Sequence, residues 1–282
     1  EQYTISGFFG VYLASQKSKN IFLPLTIGIL GESLLAILQF LKGGTLGFWI
    51  LGERTFSITT PGIAKFNFYG LEFLRPYGTF PHPNVLAGYV LVIMILLRSK
   101  KAALGLITII LTMSRVVIFT GFILGFLTLS KKWKIILVVV ALLLSPILLT
   151  RFSSLFSYDN LAILRREELL QSSWNLFLKN PIFGVGLNNF IPGQQDLISG
   201  PSRFLQPVHN IFLLALSETG LIGLMGLIGL IFFPVFKLSP LRFPLSPILF
   251  LGLFDHYFLT LPQGYRLLFL VWGLSFLNLK LK

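Results

Sequence analysis

Nine apolar runs, at about 3–14, 21–41, 84–97, 102–114, 116–130, 134–150, 209–236, 246–261 and 265–280, limit what this chain can fold into. The chain has 282 residues, 54% hydrophobic and only 12% charged, too little charge to cover a soluble surface. A bilayer removes that requirement, because a helix of about 20 apolar residues crosses ~30 Å of hydrocarbon. Several runs are shorter, so tilted spans or longer true boundaries are expected. The expectation is an all-α, polytopic transmembrane bundle of about eight or nine spans, a single membrane domain over 1–282. The chain begins at Glu1 with a short first run, so a missing N-terminal portion is also expected.

Orientation follows from the basic residues. Lys17/Lys19, Arg98/Lys100/Lys101, Lys131/Lys132/Lys134, Lys237/Arg242 and Lys280/Lys282 flank the runs with no acidic residue among them. Strict alternation of nine spans puts all five groups on one side, the cytoplasmic one. The net charge of +13 is thus a topology signal and no sign of a nucleic-acid partner. Residues 102–130 carry one charge, Arg115; read as two short spans turning at Ser114–Arg115, they keep both neighbouring basic clusters inside. Two mixed-charge stretches then lie outside: a first loop at 42–83 and a large loop at 151–208, followed by the C-terminal spans of 209–282. A loop this long in a compact protein is usually functional. Within it, 162–180 reads as a short amphipathic helix with Leu164, Leu169, Leu170, Trp174, Phe177 and Leu178 as its apolar set, ended by Pro181.

With no Cys, the chain has no disulfide, thiolate nucleophile or thiolate metal ligand. No zinc spacing of histidines is present, so neither a metal nor a cofactor is expected. His209, where the large loop enters a span, is either a general base or an interfacial histidine bonded to a carbonyl; Asn210 follows it. Glu218, nine residues on, points to the opposite helix face, so it pairs elsewhere or holds helix packing. Asp255 and His256 fall within an apolar run and could be a proton site, a ligand contact or a packing device. Arg75, Arg115 and Arg166 are candidate anion binders, with Arg165 the alternative to Arg166, because a guanidinium grips phosphate with two parallel bonds. Gly184 and Gly186 form a tight turn after Pro181 that allows close backbone approach. Gly121 and Gly125, and Gly220, Gly223, Gly226 and Gly229, are spaced for helix contact.

Four stretches together resemble the O-antigen ligase and polymerase superfamily of bacterial membrane glycan transferases. They are Arg75-Pro-Tyr-Gly-Thr-Phe-Pro-His-Pro-Asn84-Val-Leu-Ala87, then Ser114-Arg115, then Arg166 with Asn180-Pro-Ile-Phe-Gly184-Val-Gly186, and His209-Asn210-x-x-Leu213 continuing to Glu218-Thr-Gly220. The resemblance covers about 60–282. Members of this family have about a dozen spans, and an aromatic four residues after the loop arginine, where this chain has Leu170 and places Trp174 one turn later. The resemblance implies a metal-independent, inverting transfer of a glycan from a polyprenyl-diphosphate carrier to a hydroxyl on a glycan, lipid, wall or protein acceptor. It places this at the outer face of the bacterial inner membrane. It implies His209 as base, Arg75, Arg115 and Arg166 on the diphosphate, and Asn84, Gly184, Gly186, Asn210, Glu218, Asp255 and His256 in support. Ligase and polymerase share this donor and stay open. From other classes, an anion transporter lined by Arg115, Glu218 and Asp255, or a non-catalytic envelope scaffold, fits the same composition.

Overall fold

The computed structural model describes residues 2–15, 21–97, 103–153, 161–194, 205–236 and 245–276. Four of the five basic flanking groups, Lys17/Lys19, Arg98/Lys100/Lys101, Lys237/Arg242 and Lys280/Lys282, lie outside them, as do Asp159, Asp196 and Arg203. The chain forms two compact units, Ser18–Ser157 and Glu1–Lys17 with Tyr158–Lys282.

The first unit holds α2 (Phe22–Lys42), a one-turn 3₁₀ helix (Trp49–Leu51), β1 (Lys65–Phe68) and β2 (Leu71–Leu74). After them come α3 (Pro83–Leu97), α4 (Leu104–Thr112), α5 (Arg115–Thr128), α6 (Lys131–Leu143) and α7 (Ser145–Ser153). The second holds α1 (Gln2–Ser15), α8 (Leu161–Lys179), α9 (Phe190–Gln194) and α10 (Ile211–Phe236). It ends with α11 (Leu245–Gly252), α12 (Tyr257–Thr260) and α13 (Pro262–Leu274). Large apolar side chains stay exposed along α1, α2, α6 and α10, among them Phe8, Leu23, Leu142 and Met225, each more than half exposed. α6 is almost wholly apolar after its first turn yet buries no residue. Water would penalise such faces; lipid tails do not. This is a membrane protein.

The expected count of eight or nine spans is not confirmed by helix length. Among the described residues only α2 and Ile211–Phe233 of α10 are long and apolar enough to cross a bilayer, and α6 with α7, bent by 63°, would make a third. Several of the apolar runs are divided into shorter helices. Residues 102–130 do break beside Ser114, at Met113, whose positive φ ends α4. The run 246–261 is also broken: α11 stops at Gly252 and α12 begins at Tyr257, so Asp255 and His256 sit in the non-helical link. The run 134–150 bends ahead of Pro146. α3, at 15 residues, reaches only about 22 Å.

The first loop is less irregular than a mixed-charge stretch suggests. β1 and β2 pair antiparallel across Tyr69-Gly70, both with positive φ, as a two-residue hairpin turn requires. Phe40 of α2 stacks on Phe66 and Phe73 of this hairpin, with centroids at 6.4 and 6.0 Å. A polar relay then fixes the segment leading to α3. Gln39, fully buried, accepts from the Tyr77 and Gly78 N–H groups at 2.9 and 2.8 Å. Its amide donates to the Glu53 carboxylate at 2.8 Å. Glu53 in turn accepts the N–H groups of Leu46, Gly47 and Phe48. Two turns earlier on α2, Glu32 holds Thr79 through its N–H and its hydroxyl. Buried polar groups of this kind are stable only when every lone pair is used.

Burial pushes the Glu53 carboxyl up, but the Gln39 amide and three N–H donors outweigh it and hold it below the usual carboxylate range. A carboxyl with a lower pKa folded than unfolded stabilises fully above its unfolded value, about 4.3, and loses that contribution as pH falls through the folded value. Glu53→Gln therefore lowers the unfolding temperature at pH 7, and the gap between variant and wild type closes as pH is taken from about 5 towards 3. Thermal unfolding in detergent across that range reads this; a gap independent of pH would show that the charge contributes nothing.

In the second unit α8 forms as expected and stops at Lys179, before Pro181. Its buried face differs from the one expected. Leu169, Ser172, Ser173 and Leu176 point inward at i, i+3, i+4 and i+7, while Leu164, Leu170, Trp174 and Leu178 are exposed. Small serines let α8 approach α10 closely, and the Ser173 hydroxyl donates to the Leu213 carbonyl at 3.0 Å. Leu169 and Leu176 join Phe190, Val208 and Leu214 in one apolar cluster. Gly10 of α1 and Gly273 of α13 meet so tightly that a Cβ on Gly273 would lie 2.3 Å from the Gly10 carbonyl oxygen.

Candidate active site

The apolar cluster around α8 fixes the end of the large loop. The Gln194 amide donates to the Gln206 carbonyl at 3.1 Å, and Val208 is buried beside Phe190. His209 follows directly. Asn210 caps α10, accepting the N–H groups of Phe212 and Leu213 at 2.9 and 3.0 Å, and its amide reaches the Leu253 carbonyl at 3.2 Å. The His-Asn pair thus has divided roles. The asparagine starts the helix and ties it to the α11–α12 link; the histidine is held one position before the cap.

That link carries Asp255 and His256. The Asp255 carboxylate faces His209 Nδ1 at 3.5 Å, an ion-pair separation longer than a hydrogen bond. The rings of His209 and His256 lie 5.0 Å apart, and His256 Nδ1 meets the Thr260 hydroxyl at 2.7 Å. Nδ1 directed at a carboxylate leaves Nε2 of His209 to take a proton. The donor atoms of His209, Asp255 and His256 all lie within 4.8 Å of one another. Two imidazoles and a carboxylate could also hold a divalent cation, an arrangement that spacing in the sequence does not reveal.

Glu218 is not part of this group. Its carboxylate accepts the N–H of Phe190 at 3.2 Å and that of Asn188, which shapes the turn after Gly186. The reading that Glu218 does not orient His209 holds in this geometry; Asp255 faces His209 instead. The Gly184–Gly186 turn fills a break in α10. At Gly220 (φ +64°, ψ −163°) the helix loses its own hydrogen bonds. Segment 181–186 replaces them: the Val185 and Gly186 N–H groups donate to the Ser217 and Glu218 carbonyls, and Leu221 and Ile222 N–H groups donate to Pro181 and Ile182. A Cβ added at Gly226 or Gly229 would meet no atom within 4 Å among the described residues, and one at Gly223 would meet only Thr219 of its own helix.

In the first unit, Arg75 is buried; its Nε donates to the Thr112 carbonyl at 2.5 Å and its Nη2 to Asn84 at 2.7 Å. Arg151, counted from the sequence only among the charges of the large loop, donates from Nε to the Met113 carbonyl at 3.3 Å. Arg115 is the first residue of α5, two positions past Met113. Burial and the neighbouring charges of Arg151 and Arg115 push the Arg75 guanidinium down to about 9, which keeps it cationic at neutral pH. Arg166, on α8, is exposed and makes no hydrogen bond or ion pair among the described residues.

In this helical membrane protein ionisable side chains gather where helices break, Arg75 and Arg151 at the end of α4 and His209, Asp255 and His256 beside the α11–α12 link, the kind of placement that marks a candidate functional site. Residues 101–228 match the profile of the O-antigen ligase family, Wzy_C, which supports membership of the O-antigen ligase superfamily. At family level this is a ligase- or polymerase-like membrane glycosyltransferase, a class that works on glycans and lipid-linked substrates. The match takes in Arg115, Arg151, Arg166, Gly184, Gly186, His209, Asn210 and Glu218, and leaves Arg75, Asn84, Asp255 and His256 outside it. A search of curated proteins finds no match to the chain.

Proposed function

We propose that the chain transfers a glycan from a polyprenyl-diphosphate carrier to an acceptor hydroxyl at the extracytoplasmic face of the bacterial inner membrane. The observation that carries this reading is His209, held before α10 with Asp255 at its Nδ1, inside a segment of the O-antigen ligase family. His209 takes the proton of the acceptor hydroxyl as its oxygen bonds to the anomeric carbon. The bond from that carbon to the diphosphate breaks, and its electron pair leaves with the diphosphate, with inversion at carbon. Arg75 and Arg115 stabilise the charge that develops there, and Arg166 is the further candidate on the loop. Ligase and polymerase differ only in the acceptor.

Broken helices also serve transporters, which use the freed carbonyls to bind ions. In α10 the freed groups are already taken by 181–186, which favours transfer over transport. The test is reconstitution in liposomes with a polyprenyl-diphosphate oligosaccharide and a panel of acceptors. Product with one acceptor supports the reading and separates ligase from polymerase. Anion uptake without product from any acceptor would replace it with transport.

A further inference from the structure

We propose that His209, Asp255 and His256 form a binding site for a divalent transition-metal ion of the zinc type, and that the bound ion switches glycan transfer off. The site stands on geometry. Its effect rests on the base role of His209 proposed above.

His209 Nδ1 is buried and makes no hydrogen bond among the described residues, although the Asp255 carboxylate lies 3.5 Å away. That separation is too long for an N–H···O bond. It suits two ligands of one ion, because tetrahedral bonds of about 2.1 Å set ligand atoms about 3.4 Å apart. His256 supplies the third donor, and the three donor atoms all lie within 4.8 Å of one another. Closing the widest of these gaps takes a ring shift on the order of 1 Å. The His256 ring is already oriented for this. The Thr260 hydroxyl donates to the His256 carbonyl at 3.2 Å and so accepts from Nδ1 at 2.7 Å, which leaves the ring's lone pair on Nε2. A hydrogen bond on the far nitrogen is what fixes the ring of a metal-ligating histidine. The Asn210 amide on the Leu253 carbonyl holds the α11–α12 link against the start of α10, so the ligands are gathered before an ion arrives. Side-chain exposures of 23% at His209 and 17% at Asp255 leave an ion a way in.

Two imidazole nitrogens and one carboxylate oxygen suit Zn²⁺ and its neighbours in the first transition row, whereas Mg²⁺ and Ca²⁺ prefer oxygen ligands alone. The effect on transfer follows from the lone pairs of His209. A neutral imidazole has only one that can take a proton. A cation on Nε2 occupies it; a cation on Nδ1 keeps the proton on Nε2. In either case His209 no longer accepts a proton from the acceptor hydroxyl.

The full chain, carrying no polyhistidine tag, is placed in nanodiscs and titrated calorimetrically with Zn²⁺ and Mg²⁺. Wild type is compared with His256→Gln, Asp255→Asn and His82→Gln, which removes the remaining histidine of a chain without Cys. Wild type and His82→Gln bind a single Zn²⁺ that Mg²⁺ does not displace. His256→Gln and Asp255→Asn each weaken Zn²⁺ at least about tenfold. In the transfer assay Zn²⁺ lowers the wild-type rate to that of His209→Ala, and a chelator restores it. His256→Gln, read against its own metal-free rate, needs at least about tenfold more Zn²⁺ for the same inhibition. Equal Zn²⁺ binding by wild type and both ligand variants would overturn the site; if one variant does not fold, the other decides. Equal inhibition of wild type and His256→Gln would put Zn²⁺ on the donor diphosphate and overturn the switch. Transfer at the full rate with the site filled would leave the metal site standing and refute the base role of His209.

Discussion

Replacing His209 by alanine lowers glycan transfer at least about 100-fold while donor binding persists, because a positioned base contributes roughly 10²- to 10⁴-fold. Donor binding persists because His209 acts on the acceptor proton and not on the diphosphate. Asp255→Asn gives a smaller loss, carried in kcat with little change in KM. An amide in place of the carboxylate 3.5 Å from Nδ1 no longer stabilises the imidazolium that forms. The same pair of variants separates base from metal ligand. As a base, His209 needs no cation, so a chelator leaves the wild-type rate unchanged; chelator-sensitive transfer restored by a divalent ion would assign the His209–Asp255–His256 group to a metal instead. Full transfer by His209→Ala would remove it from the chemistry.

Gly220→Ala and Gly184→Ala each destabilise the second unit by about 3 kcal/mol or more, from backbone strain plus hydrogen bonds lost at one junction. Both glycines have positive φ, and both have backbone in the way. A Cβ on Gly220 would sit 2.2 Å from the Ile182 carbonyl oxygen, and one on Gly184 would sit 2.3 Å from the Glu218 carbonyl carbon. Neither neighbour can retreat without giving up the four bonds between 181–186 and the broken turn of α10. The double variant is little worse than either single, since both remove the same junction. Gly226→Ala and Gly229→Ala, with nothing nearby, serve as controls and melt like wild type or slightly higher. Detergent melting curves within about 2 °C of wild type for Gly220→Ala would show that the junction is dispensable.

Part of the local geometry was legible. The motif around His209 put it at the start of a helix, and the periodicity between His209 and Glu218 separated those two side chains. Arg75 and Asn84 were named together from one segment, and they are hydrogen bonded at 2.7 Å. The break beside Ser114 was readable because one arginine in a long apolar stretch, flanked by two basic clusters, leaves few consistent topologies. Arg151 was missed because in sequence it is one charge among many at the mouth of a loop; only its hydrogen bond to the Met113 carbonyl, freed at the end of α4, gives it a place. The β1–β2 hairpin was missed because two four-residue strands are too short to show alternation, although Tyr-Gly between aromatic β-formers was the available signal. The relay from Gln39 to Glu53 and Gly78 left no local pattern at all.

The sequence by itself determined solvent and class. Apolar length and scarce charge demand lipid, and four ordered motifs carry the family; both are properties of composition and local order, which survive without a fold. Helix continuity and partnership belonged to the tertiary structure. Whether an apolar run stays one helix depends on whether its freed carbonyls and N–H groups find partners, as α10 does at Gly220 in the backbone of 181–186. Which carboxylate faces His209 was likewise decided by a link 46 residues downstream, because an ion pair depends on distance in space and leaves no trace in spacing along the chain.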